Sequence, residues 1–256
     1  MADMGTLLPS GKGLWIPIDH GVSDYPVEGL TDLDDILEKL KDADAIIAHK
    51  GVVSKYSPYY PNLIAHLSAS TRHGGKENSL KVLVGTVEEA INRGAKGVSV
   101  QVNMGSYGEG EMIETLGKVT AVAFEQNVPV LGMMYPRGEN LSVMDGDDTE
   151  AVAHAVRLGF ELGCDVVKTK WTGSIESFKK VTSAAPIPVL IAGGPRVNSD
   201  EDLLNMVYDA MQAGAAGVCM GRQIFSHRDP IKIVNALRYI IHYGYDVNKA
   251  ISETGL

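Results

Sequence analysis

His154 to Thr169 reads HAVRLGFELGCDVVKT. An amphipathic segment runs up to Gly163, and a short valine-rich run follows within a few residues. Glycine at a helix end takes a left-handed backbone conformation at no steric cost. The run after it is too short for a helix and rich in β-branched residues, which suits a strand covered on both faces, as in a parallel sheet. The same phrase returns as VEEAINRGAKGVSVQ (Val87 to Gln101) and YDAMQAGAAGVCMGR (Tyr208 to Arg222), with a looser copy, lacking the glycine, in LEKLKDADAIIAHKG (Leu37 to Gly51). Helix-then-strand repetition implies a chain of βα units.

Working outward, eight candidate strands emerge: Leu14 to Ile18, Ala45 to His49, Leu63 to Leu67, Gly97 to Val102, Pro129 to Met134, Asp165 to Thr169, Pro188 to Ala192 and Gly217 to Met220. Eight strands in 256 residues predict an α/β fold, a single (β/α)8 TIM barrel of one domain, since such a barrel takes about 250 residues. An open doubly wound sheet shares the local grammar. The position of the polar residues separates the two, because a barrel collects its chemistry at the C-terminal strand ends. Val53 to Asn62 and Ser70 to Ser79 read as the substantial loops.

Composition narrows the function classes. A net charge of −9 argues against a nucleic-acid surface, which carries a basic excess. No apolar run approaches the ~18 residues of a membrane span, and MADMGTLLPSGKG at the start has neither a basic nor a long apolar region, so the expectation is a cytoplasmic chain. The two cysteines, Cys164 and Cys219, sit beside apolar runs and read as small buried hydrophobes. No His/Cys/carboxylate cluster has metal-ligand spacing, and neither a metal nor another cofactor is expected.

The strand ends carry the chemistry. Lys168 directly follows Val166-Val167; desolvation there lowers an amine toward the neutral form that attacks a carbonyl. Taken alone, Lys168 reads equally as a lysine holding a structural carboxylate. Lys170, two residues on, shares its face and is the competing nucleophile, with a rim position facing water or a phosphate as its expected place. Asp19 ends IPI and reads as a proton carrier beside that amine or as a cap before Gly21; His20 reads as structural. Tyr135, held extended by Pro136, offers a phenol at a strand end, and Arg137 is an anion ligand or a loop brace. Gly193-Gly194-Pro195-Arg196 after the seventh strand and Gly221-Arg222 after the eighth suit a phosphate, which recurs at these two loops.

The segments IPIDHG, MMYPRG, DVVKTKWTG, AGGPR and AAGVCMGRQIF, from about Leu14 to about Ile241, resemble the archaeal-type class I (Schiff-base) aldolases, the group of fructose-bisphosphate aldolase and 2-amino-3,7-dideoxy-D-threo-hept-6-ulosonate synthase. That resemblance implies Lys168 as the imine lysine, Asp19 and Tyr135 as acid/base groups, and Gly193, Gly194, Gly221 and Arg222 as the phosphate site. Met133 and the HKG and VNMGS segments resemble the heptulosonate synthase more than the bisphosphate aldolase. The implied reaction is transfer of a three-carbon unit from a phosphorylated ketose to an aldehyde acceptor, aspartate semialdehyde, toward aromatic amino acids. Fructose-1,6-bisphosphate aldolase is the alternative, and a non-catalytic sugar-phosphate-binding barrel a further one. The resemblance also implies a ring-based homo-oligomer, a decamer among the sizes. Tyr56 to Tyr60 (YSPYY) falls outside the pattern.

Overall fold

A computed structural model of the chain describes residues 2, 4–141, 147–194 and 197–256, with the side chains of 76 and 77 left aside. Eight parallel strands close into a barrel: β1 (Gly13–Pro17), β2 (Ala45–Ala48), β3 (Leu63–His66), β4 (Gly97–Met104), β5 (Val130–Pro136), β6 (Val166–Lys170), β7 (Val189–Ala192) and β8 (Gly217–Cys219). Each pairs with its neighbours in chain order, and β8 returns to β1 with Gly217 opposite Gly13 and Cys219 opposite Trp15. The closure excludes the doubly wound sheet. All eight expected strands are present, their ends displaced by a residue or two. The largest displacement lengthens β4 and β5 at the mouth, where Asn103 and Met104 pair with Tyr135 and Pro136.

Among the described residues eight longer helices follow the strands: α1 (Leu33–Lys39), α2 (Lys50–Tyr56), α3 (Val87–Asn92), α4 (Glu109–Glu125), α5 (Thr149–Glu161), α6 (Ile175–Thr182), α7 (Asp200–Gln212) and α8 (Pro230–Tyr243), with α9 (Val247–Thr254) appended and four-residue helices at His20–Ser23 and Arg222–Phe225. Their starts are chemically marked: Asp32, Thr86, Ser174, Ser199 and Asp229 each accept a hydrogen bond from the backbone N–H three residues on, which satisfies a donor the helix leaves open. Where the repeated phrase predicts it, Gly94, Gly163 and Gly214 hold φ of 94, 91 and 90°. One expectation fails locally. Val53 to Tyr56, read as the start of a loop, completes α2, with Val53 and Tyr56 buried on one face; the polar pair between them and Pro58 beyond masked a two-turn helix. Tyr56 donates to Asp34 Oδ1 at 2.6 Å, so YSPYY lies at the end of α2 away from the strand C-termini, on the outer wall.

Strand residues alternate between two cores. Ile16, Ile46, Val167, Ile191 and Val218 face the helices, against Leu37, Phe178 and Leu204. Trp15, Ile47, Ile64, Leu131, Val166 and Leu190 face the barrel axis together with Leu7 and Leu8 of the leading segment. Trp15 Nε1 donates to the Leu7 carbonyl at 2.6 Å, which gives the buried indole its partner and fastens the plug at the N-terminal face. Nearby, Asp44 Oδ2 accepts from the Leu14 N–H at 2.6 Å and pairs with His242 Nε2 at 2.7 Å, tying α8 to β1. The plug leaves the opposite end of the barrel open.

Candidate active site

Val166, Lys168 and Lys170 climb the inner wall of β6 at alternate positions. Lys168 lies opposite Met133 of β5 and Leu190 of β7 and is only 8% exposed. One step further up, Lys170 is part-exposed and ion-paired with Asp148. The rim position expected for it is the observed one, but its counter-ion is a carboxylate of the chain itself. Above Lys168 opens a cavity of about 820 Å³. Asp19, Tyr135, Arg137, Lys168, Gly193, Gly194, Gly221 and Arg222 all line it, so these strand-end residues face one space. Arg196 and Pro195, from the same glycine loop, lie outside the described residues.

The charge state of the amine differs from expectation. Burial pulls the Lys168 ammonium down, but Cys219, Tyr135 and Asp19 act the other way and outweigh it, so the amine titrates above the ordinary lysine value. Desolvation is only one of the influences on this amine; the groups that oppose it sit on other strands and are remote from it in the chain. Cys219 and Tyr135 line the same cavity as Lys168 and raise its affinity for the proton. Burial pushes the Cys219 thiol up to about 11 and raises the Tyr135 phenol as well; both are neutral near pH 7, where Asp19 is the anion facing the ammonium. Cys219, expected to be only a structural hydrophobe, faces the cavity; Cys164 remains buried as expected.

Asp19 stands just past β1 among histidines. Burial raises its carboxyl, and His66, His20, Lys168 and His49 more than offset this, leaving it below the usual carboxylate value. His66 Nε2 lies 3.8 Å from Asp19 Oδ2, and its Nδ1 is 2.7 Å from Ser99 Oγ. Burial pushes His66 down to about 4, so the ring is neutral, and a proton donated by Ser99 to Nδ1 leaves Nε2–H facing the carboxylate. His49 packs edge-on against His66 with centroids 5.3 Å apart. Sequence reading missed His66 and Ser99 because each sits inside an apolar run, LIAHL and VSVQ; their places on β3 and β4 were the available signal.

His20, expected to be structural, also lines the cavity: its Nδ1 lies 3.5 Å from Asp19 Oδ1 and its ring meets Phe225 edge-on at 5.1 Å. Across the mouth, Gln223 of the short helix Arg222–Phe225 donates to the Gly193 carbonyl at 3.1 Å and joins the two glycine loops. A Cβ at Gly221 would stand 2.6 Å from both His20 Cε1 and the Pro17 carbonyl oxygen; only glycine lets this loop approach β1. Arg137 lies over the Tyr135 ring, 4.2 Å from its centroid. Among the described residues, no three His, Cys, Asp or Glu side chains gather as a metal site.

A lysine sunk in a barrel wall, sharing its cavity with a phenol, a thiol, a carboxylate and two glycine loops, can condense with a ketone and move protons around the adduct. The arrangement is that of a class I, lysine-imine aldolase. The chain belongs to the DeoC/LacD family of aldolases, which it matches over residues 14–227. It is 41% identical over 232 residues to a 2-amino-4,5-dihydroxy-6-oxo-7-(phosphonooxy)heptanoate synthase of Streptomyces griseus, covering 89% of this chain and 84% of that protein. It is 38% identical over 256 residues to a 2-amino-3,7-dideoxy-D-threo-hept-6-ulosonate synthase of Archaeoglobus fulgidus, covering 98% and 94%. A solved Schiff-base-forming fructose-1,6-bisphosphate aldolase superposes with a TM-score of 0.85 at 30% identity, over 93% of this chain and 98% of that one. No helix among the described residues is long and apolar enough to cross a membrane.

Proposed function

We propose that this aldolase is a heptulosonate synthase of the transaldolase kind: it takes a three-carbon unit from a phosphorylated ketose and adds it to aspartate semialdehyde. Lys168 is the nucleophile. Its Nζ attacks the ketone carbon of the donor, whose phosphate rests on Gly193-Gly194 and Gly221-Arg222; the carbinolamine loses water, with protons passing through Tyr135 and Asp19. The imine then draws electrons as the carbon–carbon bond breaks, the leaving fragment departs as an aldehyde, and the enamine left on Lys168 attacks the acceptor aldehyde. Hydrolysis of the new imine frees the product and returns the amine. Uptake and release of protons at one spot suits Tyr135, because its neutral phenol faces the same cavity as the amine it serves. Arg137 belongs to the acceptor side of the mouth. Both heptanoate and heptulosonate synthases among the relatives support this substrate choice, and a homo-oligomer is the proposed working form.

The observation that carries the reading is the burial of Lys168 at the cavity that Tyr135 and the glycine loops share. Borohydride added with a ketose phosphate is expected to leave a covalent adduct on Lys168; an adduct on Lys170, or none, overturns it. Substrate choice is tested separately. Product is expected only when a ketose phosphate and aspartate semialdehyde are supplied together, whereas rapid cleavage of fructose 1,6-bisphosphate with no acceptor would favour the bisphosphate aldolase.

A further inference from the structure

The mouth has two charged sides. The glycine loops follow β7 and β8. On the opposite arc of the closed ring, which β3, β4 and β5 form, stand two cations with no carboxylate within ion-pair distance among the described residues: Arg137, after β5, and Lys81. The backbone carries Lys81 there by an antiparallel ladder directly beyond β3, in which Ser68 and Ala69 pair with Leu83 and Val82. Lys81 Nζ donates to Ser70 Oγ at 2.5 Å, and Ser70 itself donates to the Asn78 carbonyl, so the contact is neutral and leaves the ammonium uncompensated. The ladder is pinned to the barrel wall: the Gln101 N–H donates to Ser68 Oγ at 3.1 Å, and Asn103 Nδ2 to the Ser79 carbonyl at 2.6 Å. Gln101 and Arg137 line the active-site cavity. Asn103 pairs in register with Tyr135, two residues before Arg137, so the stretch that carries Lys81 stands beside the strand end that carries Arg137; burial and then Arg137 push the Lys81 ammonium down, while Asp19 pulls it up.

Two cations carried at adjoining strand ends without a carboxylate partner suit an anion that arrives with a ligand. We propose that Lys81 and Arg137 form a second anion site, across the mouth from the glycine loops, that takes the carboxylate of the aldehyde acceptor. The acceptor then enters with its carboxylate at β3–β5, which sets the register of the new carbon–carbon bond over the enamine on Lys168. This inference rests on the synthase reading above, and a phosphate at the far end of the substrate would satisfy the same two cations.

The test compares three acceptors with a common ketose phosphate donor: aspartate semialdehyde, glyceraldehyde 3-phosphate and uncharged propanal. Lys81→Met is expected to raise KM for aspartate semialdehyde about ten- to hundredfold, the range for losing a charged hydrogen bond, while KM for propanal moves less than about twofold; Lys81→Arg restores most of the loss. Turnover of propanal also reports that the variant is folded. A parallel rise for propanal and aspartate semialdehyde, or no rise for either, overturns the proposal. If the unaltered enzyme rejects aspartate semialdehyde and instead condenses glyceraldehyde 3-phosphate, the synthase reading fails; a KM rise for that acceptor in Lys81→Met then assigns the site to phosphate and overturns the carboxylate.

Discussion

At the scale of single residues, the neighbours of Lys168 matter more than its burial. A desolvated lysine alone would rest as the neutral amine. Here the groups around it raise the amine above the ordinary lysine value, and near neutrality Asp19 is the anion that holds it as ammonium, so the proton must leave before attack. Below the pKa of such a group the neutral fraction grows tenfold per pH unit. The rate at which a ketone phosphate forms the trapped adduct, read by quenched-flow mass spectrometry, is therefore expected to climb steadily from about pH 6 to about pH 9. A plateau near neutrality would mean that desolvation wins after all.

Among the elements, the loops after β7 and β8 are held close by what glycine omits. An alanine Cβ at Gly221 meets the Pro17 carbonyl, which belongs to β1 and cannot turn aside, as well as the His20 ring. Gly221→Ala is expected to cost about 1–3 kcal/mol in denaturant unfolding, as overpacking does, and to weaken binding of a ketone phosphate at least about tenfold by displacing the loop. Calorimetry with the ketone phosphate measures the second effect. Gly117, mid-way along α4 with open space around it, is the contrast: Gly117→Ala should stabilise by about 0.5–1 kcal/mol through helix propensity alone. Equal behaviour of the two variants would show that the loop contact carries no strain.

For the molecule as a whole, the buried histidine beside Asp19 sets an acid limit. Unfolded His66 takes a proton near pH 6.5, whereas in the fold it resists until about 4. Between those values the unfolded chain binds more protons, so stability is intact above about pH 6.5 and declines as pH falls through that window. The decline amounts to roughly 3 kcal/mol by pH 4. Denaturant titrations of the native enzyme and of His66→Gln are expected to diverge in slope only in that window; parallel curves would remove His66 as the cause.

Periodicity and punctuation carried the barrel, because both are local. A glycine after an amphipathic run and a valine pair after the glycine mark one βα unit, and in a parallel barrel every strand ends at the same face, so chain order alone gathered Asp19, Tyr135, Lys168 and the two glycine loops at one mouth. What faces what across the pore has no local signature. Closure of β8 onto β1 and the register of eight strands brought Cys219 and Lys168 to one cavity, His66 and Ser99 behind Asp19, and the Ser79 carbonyl onto Asn103 beside β5. Those juxtapositions determine the charge on the amine, because electrostatic interaction depends on distance through space and not along the chain.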